Sequence, residues 1–253
     1  MRNKAIKIGF IVFASLVVTV TFISLMVHIK FLNKKATTTF FNDSSNKMWA
    51  HHGFSKVGES YHKNNIELAF KQNVKGVELD LFYDKNINSF MVVHDESEKD
   101  TLILNQLLTE IKVKKKFWFD LKNLKKENTS EIISLLQSIN QKHQLNNNFI
   151  VESKNAKELN KLTKAGIFTS LWITIAQNNN LLANTYARFK NKLKLVLYNF
   201  NAVSMPYYYY LREGEKMYSN FPIHTWVNRA EYDRNKEEIL NDNKLKVVLF
   251  DRR

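Results

Sequence analysis

Val77-Glu78-Leu79-Asp80-Leu81 is the stretch on which both the fold and the chemistry of this chain turn. Glu78 and Asp80 stand two apart, so on a strand they share one face while Val77, Leu79 and Leu81 take the other. If both faces are covered, two carboxylates are buried, a state that requires a cation or hydrogen bonds to compensate them. Hard cations such as Mg2+ and Ca2+ select carboxylate oxygens. Upstream, Ala50-His51-His52-Gly53 adds imidazoles, and downstream Met91-Val92-Val93-His94-Asp95 adds another. These are the side chains best suited to move protons near neutral pH. Acid pair, hard cation and histidines together predict metal-assisted phosphoryl chemistry.

Outward from this core, apolar runs alternate with helix-like stretches, the pattern of a parallel sheet wrapped by crossover helices. Eight strands are read at 48–51, 77–81, 117–121, 149–151, 168–173, 193–197, 223–227 and 246–250, with helices at 66–72, 102–111, 130–144 and 156–165. That arithmetic predicts the α/β class and a small (β/α)8 TIM barrel. A ninth apolar run, 90–93, follows the turn-rich Tyr83-Asp84-Lys85-Asn86-Ile87-Asn88, which is too short for a crossover helix. It is expected to return as a hairpin beside the second strand. Active groups of such barrels gather at the carboxyl ends of the strands, and His51, Glu78, Asp80, Asp120 and Glu152 all fall at or near predicted ends. Phe117-Trp118-Phe119-Asp120-Leu121-Lys122 repeats the logic of the second strand, with Asp120 and Lys122 on one face.

In their order and spacing, Ala50-His51-His52-Gly53, the Glu78-Leu79-Asp80 strand and Val92-Val93-His94-Asp95 resemble the glycerophosphodiester phosphodiesterase superfamily. That family usually begins His-Arg-Gly and continues Pro-Glu-Asn-Thr, whereas this chain has His51-His52-Gly53 and Lys63-Asn64-Asn65-Ile66. An arginine and a glutamate are missing. The family's acidic-x-Lys pair in the third strand is Asp120-Leu121-Lys122 here, a form similar to the sphingomyelinase D-like phospholipases of the same superfamily. Thr225-Trp226-Val227-Asn228 and Val248-Leu249-Phe250-Asp251-Arg252 resemble the family's seventh and eighth strands, so the resemblance covers nearly all of 47–253. Only about twenty residues separate Asp95 from Phe117, where family members often carry a substantial insertion that helps wall the glycerol site.

The resemblance implies that His51 and His94 form a general acid and base pair, that Glu78, Asp80 and Asp120 hold a divalent cation, Mg2+ or Ca2+, and that Lys122 and His52 contact the substrate phosphate. Asn64, at the position of the motif glutamate, offers an amide oxygen without charge. Glu152 is a further candidate ligand. The implied activity is that of a phosphoric diester hydrolase acting on glycerophosphodiesters or lipid headgroup phosphodiesters, with a substrate hydroxyl or water as nucleophile. Two rivals stand beside it. One is a phospholipase D-like activity on intact lipids, suggested by the short insertion and Asp120; the other is a decayed binding or scaffold barrel, suggested by His52 and Asn64.

From Ile8 to Ile29 there is no formal charge apart from that available to His28, and about 22 residues at 1.5 Å each reach roughly 33 Å, enough to cross a bilayer. Lysines and no small-x-small cleavage site follow, so an uncleaved anchor is predicted over a signal peptide. The domain reading is therefore an anchor at 1–33, a Thr/Asn/Ser-rich linker at 34–46 and the barrel at 47–253. Carrying Arg2, Lys4 and Lys7 across the membrane is unfavourable, which predicts a single-pass protein with its catalytic body on the extracytoplasmic side, periplasmic or at the cell surface.

At 253 residues, 44% hydrophobic and 13% aromatic, the chain has enough apolar matter for one barrel-sized core. It contains no cysteine, which excludes disulfides, thiolate catalysis and cysteine-type zinc sites. The net charge of +14 and pI near 9.7 attract an anionic membrane surface or phosphate-bearing substrates. No stacking motif or arginine-rich stripe accompanies the charge, so nucleic acid is not expected. His62 and His143 read as surface or loop residues, and His224 as a barrel residue without a ligand partner. Tyr207 to Tyr210 cannot share one helix face. Lys112, Lys114, Lys115 and Lys116 read as a solvated loop at the barrel's amino-terminal face.

Overall fold

A computed structural model of the chain describes residues 2–36, 47–54, 63–72, 74–94, 102–111, 115–176 and 180–251. Most of the linker read at 34–46, together with His62, Lys112 and Lys114, lies outside the described residues. By its internal contacts the chain divides into two units, one of residues 36–173 with 199–253 and one of residues 1–35 with 174–198.

The larger unit holds the strands β1 (Met48–Ala50), β2 (Gly76–Asp84), β3 (Ser89–Val92), β4 (Leu102–Ile103), β5 (Lys116–Leu121), β6 (Phe149–Ser153), β7 (Thr169–Trp172), β8 (Ala202–Pro206), β9 (Ile223–Val227) and β10 (Leu245–Phe250). Eight of them pair in parallel in the order β1-β10-β9-β8-β7-β6-β5-β2, and Ala50 paired with Val77 closes the circle. This is a (β/α)8 barrel. β3 returns antiparallel to β2 through a tight turn, with Leu81 opposite Val92, and β4 extends the hairpin.

Alternation explains the two faces. Val77, Leu79, Leu81, Phe117, Phe119 and Leu121 are buried on the outward face. Inside, Trp49, Trp118, Ile150, Phe168, Ala202, Val247 and Leu249 pack into one cluster. Gly76 lies against Trp49, where an added Cβ would stand 2.6 Å from the indole. The covering helices follow their apolar periodicity: α2 (Lys63–Lys71) buries Ile66, Ala69 and Phe70, and α4 (Thr129–Lys142) buries Ile132, Leu136 and Ile139. The short α3 (Leu104–Glu110) buries Leu104, Leu107 and Leu108. α5 (Ala156–Lys164) buries Leu159 and Leu162 and is capped by Asn155, whose side chain accepts from the Glu158 N–H.

One strand is corrected. The run 193–197 is the end of a helix, α6 (Leu181–Leu197), and the strand of that register is Ala202–Pro206. Lys192-Leu193-Lys194-Leu195 alternates with period two, but this is too short to decide between strand and helix. Asn180 caps the helix, accepting from the N–H groups of Leu182 and Ala183, and the buried Asn191 and Leu195 stand four apart. After β8, α7 (Tyr207–Tyr209) runs into a π-helical turn (Tyr210–Gly214) and α8 (Glu215–Met217). Tyr207, Tyr209 and Tyr210 are buried and Tyr208 is exposed, as expected of residues that cannot share a face. α9 (Arg229–Asn241) starts in a capping box between Asn228 and Glu231.

The smaller unit pairs α6 with α1 (Arg2–Leu32). Within α1, Gly9–Leu32 is long and apolar enough to cross a membrane, with a mean hydropathy of 2.6. α6 meets α1 near its C-terminal end. There Lys192 Nζ stands 3.2 Å from His28 Nδ1 and 5.7 Å from the centre of the Phe31 ring, and Val27 and Phe31 are buried.

Candidate active site

Register assembles the acids. Asp80 of β2 pairs with Asp120 of β5, and Asp120 pairs with Glu152 of β6. All three point into the barrel near its carboxyl end, with Glu78 one inward step behind Asp80 on β2. Glu78, Asp80, Asp120 and Glu152 are 3%, 1%, 4% and 3% exposed. One oxygen from each of Glu78, Asp80 and Asp120 falls within 4.8 Å of the others. The sequence-predicted trio is therefore gathered. Glu152 is occupied elsewhere: it accepts from Trp118 Nε1 at 3.1 Å and pairs with the Ser204 hydroxyl.

The turn after β1 brings in the histidines. His51–Phe54 forms a tight turn in which His52, Gly53 and Phe54 all take positive φ, of 46°, 56° and 64°. Two of these are unfavourable for side-chain-bearing residues, and hydrogen bonds offset the strain at His52. Its N–H donates to Glu78 Oε2 at 2.8 Å, and its Nδ1 lies 2.9 Å from Asp80 Oδ2. Gly53 has no alternative, because a Cβ there would meet Ile66 Cγ1 at 2.7 Å. His51 faces Asp251, with Nδ1 2.7 Å from Oδ1. Because β1 and β10 run in parallel with Ala50 beside Phe250, the residues that follow each strand meet.

His94 follows β3, where the Val93 N–H donates to the Asp80 carbonyl at 3.1 Å. His52, Asp80 and His94 offer atoms within 4.8 Å of one another. The ring centres of His51 and His52 are 4.0 Å apart, and those of His52 and His94 are 5.5 Å apart. His52 thus lies close to both of the predicted catalytic histidines. Lys122 Nζ bridges Asp80 Oδ1 at 2.5 Å and Asp120 Oδ2 at 2.6 Å. Asn64 is exposed at the start of α2. An open cleft of about 390 Å³ leads to this group, lined by His94, Asp120, Lys122, Lys154 and Trp172 among others.

The electrostatics expose an imbalance. Burial pushes the Glu78 carboxyl well above its ordinary range, and the Asp80 charge adds to the effect. Burial likewise raises Asp120, with Lys122 opposing. For Asp80 burial acts in the same sense, but the His52 hydrogen bond and the Lys122 charge outweigh it and hold the carboxyl far below its ordinary value. Burial alone would lower Lys122, yet Asp120, Asp80 and Glu78 keep it charged by raising its pKa. Burial lowers the His51 pKa, with the Asp251 hydrogen bond opposing. Three buried carboxylates with one lysine among them form an all-oxygen donor set of surplus negative charge, which suits a hard divalent cation.

Sequence reasoning gave Asp251 no role and missed the grip of Trp118 on Glu152. The parallel pairing of first and last strands is the signal that locates Asp251. His224 lies inside the barrel, 5.3 Å from Trp118 between ring centres, and burial pushes its pKa down to about 3. His143 is held by Asn105, with Nε2 2.9 Å from Oδ1.

Solved structures of similar architecture were found. A glycerophosphodiester phosphodiesterase from Parabacteroides distasonis superposes with a TM-score of 0.61 at 15% identity, over 81% of this chain and 92% of that one. An Oleispira antarctica phosphodiesterase in complex with the product sn-glycerol-3-phosphate gives 0.58 at 12% identity, over 81% and 92%. The barrel has the fold of the glycerophosphodiester phosphodiesterases. A calcium-dependent phosphoinositol-specific phospholipase C from a Pseudomonas species shares it more loosely, with a TM-score of 0.50 at 12% identity over 81% and 88%. No protein-family model and no curated protein matches the sequence.

Proposed function

We propose that this chain is a divalent-cation-dependent phosphodiesterase, a divergent relative of the glycerophosphodiester phosphodiesterases, that hydrolyses glycerophosphodiesters or related lipid headgroup phosphodiesters. The observation that carries the reading is the buried Glu78-Asp80-Asp120 group facing His52, His94 and Lys122 at the carboxyl end of a closed barrel. Helix α1 serves as the membrane anchor, with the barrel on the extracytoplasmic side, a reading supported by its length, its apolarity and the basic residues that precede it.

Glu78, Asp80 and Asp120 hold the cation, Mg2+ or Ca2+, which when bound supplies positive charge to the phosphoryl oxygens. Lys122 contributes a fixed cation beside them. With Nδ1–H donated to Asp251, His51 keeps its Nε2 lone pair free and its burial favours the neutral ring, which fits it for the base that deprotonates the attacking hydroxyl. His94, on the rim of the cleft, is placed to protonate the leaving oxygen. His52 positions Asp80 and Glu78 and takes the place of the family's arginine.

A phospholipase D-like activity on intact lipids is the second reading, favoured by the short connection between Asp95 and Phe117 and by the apolar Leu124 and Trp172 on the cleft wall. The test is hydrolysis by the full chain of glycerophosphodiesters in solution and of lysolipids in vesicles, with Mg2+, Ca2+ or chelator. Chelator-sensitive release of sn-glycerol-3-phosphate supports the first reading, and turnover confined to vesicles supports the second. Inertness of folded, cation-supplied protein on every substrate would leave the decayed barrel.

A further inference from the structure

Helix α6 carries a surface that the barrel chemistry does not use. At 100° per residue, Leu182, Tyr186, Phe189, Leu193 and Leu197 fall within a stripe of about 80°. Leu182, Tyr186 and Leu197 are 79%, 63% and 61% exposed. The buried Asn191 and Leu195 lie on the opposite side. Lys190 and Lys194 run along one flank of the stripe, and Arg188 and Lys192 along the other. Lys192 on one flank meets α1 at His28 and Phe31, while Leu182, Tyr186 and Leu197 stay exposed on the stripe.

Charge sets this unit apart. Residues 1–35 and 174–198 contain Arg2, Lys4, Lys7, Lys30, Lys34, Lys35, Arg188, Lys190, Lys192 and Lys194 and no acidic residue. These account for ten of the fourteen net charges, leaving the barrel unit near +4. An apolar stripe exposed at Leu182, Tyr186 and Leu197 between two basic flanks, on a helix packed against the end of a membrane-length helix, matches the headgroup and acyl boundary of an anionic bilayer.

We propose that α6 is an interfacial helix that binds an anionic phospholipid surface, its Leu182, Tyr186 and Leu197 entering the acyl boundary and Arg188 and Lys190, one on each flank, contacting lipid phosphates. This rests on the reading of α1 as a membrane span, since the two helices meet at the end of that span. The bilayer is thereby contacted twice, by a helix that crosses it and by one that lies on it.

The chain has no cysteine, so single probes can be placed cleanly. Bimane is attached to Leu182→Cys or Leu197→Cys in the full chain, reconstituted in vesicles of phosphatidylcholine with or without phosphatidylglycerol that also contain acyl-chain nitroxide lipid. Leu16→Cys reports on α1, and Ser134→Cys, exposed on α4, reports on the solvated barrel. Quenching at 182 and 197, stronger with phosphatidylglycerol and absent at 134, is expected. The double variant Arg188→Gln/Lys190→Gln should shift the docked to undocked ratio toward solvent by roughly tenfold or more. Quenching at 16 without quenching at 182 and 197 overturns the proposal and leaves the span intact; loss at all three removes both. Quenching indifferent to phosphatidylglycerol and to the double variant overturns anionic recognition. Shielding from an aqueous quencher without nitroxide quenching overturns it in favour of a protein partner or a second copy.

Discussion

His51 and Asp251 lie 200 residues apart and meet because the first and last barrel strands run side by side. Substituting Asp251→Asn removes the bond that fixes the His51 tautomer, and the rate should fall by about 10²-fold. Asp251 raises the His51 pKa, so its loss should move the acid limb of the pH–rate profile to lower pH, which steady-state assays across pH would reveal. Glu78 sets a different dependence. Its folded pKa lies above the unfolded value, so its contribution to stability is present at low pH and is lost as pH rises through the raised value. A cation bound by the proposed ligands would relieve that cost. Thermal unfolding at pH 5 and pH 8 should therefore show a larger gain from Ca2+ or Mg2+ at the higher pH, reaching about 2.7 kcal/mol at a hundredfold excess over Kd, and Glu78→Gln should flatten the difference. Glu78, Asp80 and the two flanking histidine segments were legible because identity and two-residue spacing carry the signal. Asp251 and the Trp118 grip on Glu152 were not, since both depend on which strands become neighbours.

At the scale of elements, the barrel was legible wherever a run was bounded by turn residues, and the hairpin at Ser89–Val92 followed from a connection too short for a helix. The run 193–197 failed for a physical reason: the four alternating residues Lys192 to Leu195 satisfy a strand, while the Asn180 cap that starts the helix lies twelve residues upstream. Its replacement, Ala202-Val203-Ser204-Met205-Pro206, is buried on both faces and so shows no alternation. The motif residue Asn228 has a structural duty here, capping α9 with Glu231. Asn228→Ala should cost about 1 kcal/mol in denaturant unfolding and leave kcat unchanged. The His51–Phe54 turn is less forgiving. Gly53→Ala combines positive φ with a contact to Ile66 and should cost about 1–3 kcal/mol, with loss of activity because His51 and His52 move with the turn.

The whole molecule separates its tasks by charge. Ten net positive charges belong to the unit built from α1 and α6, while the barrel unit is close to balanced and buries Glu78, Asp80, Asp120 and Glu152 in its interior. The strong basicity read from composition thus concerns the unit of α1 and α6 rather than the barrel unit. Closure of the barrel lets both ends of the body contribute to one site, His51 from its start and Asp251 from its end. The central claim is that the buried carboxylate group is a cation site that drives phosphodiester hydrolysis. It is tested most directly by the initial rate of glycerophosphodiester hydrolysis against free Mg2+ or Ca2+, for wild type and Glu78→Gln. The account predicts a saturable rise from background under chelation and a loss of apparent cation affinity of about tenfold or more in the variant. Turnover that persists under chelation, or a variant with the wild-type cation response, would contradict it.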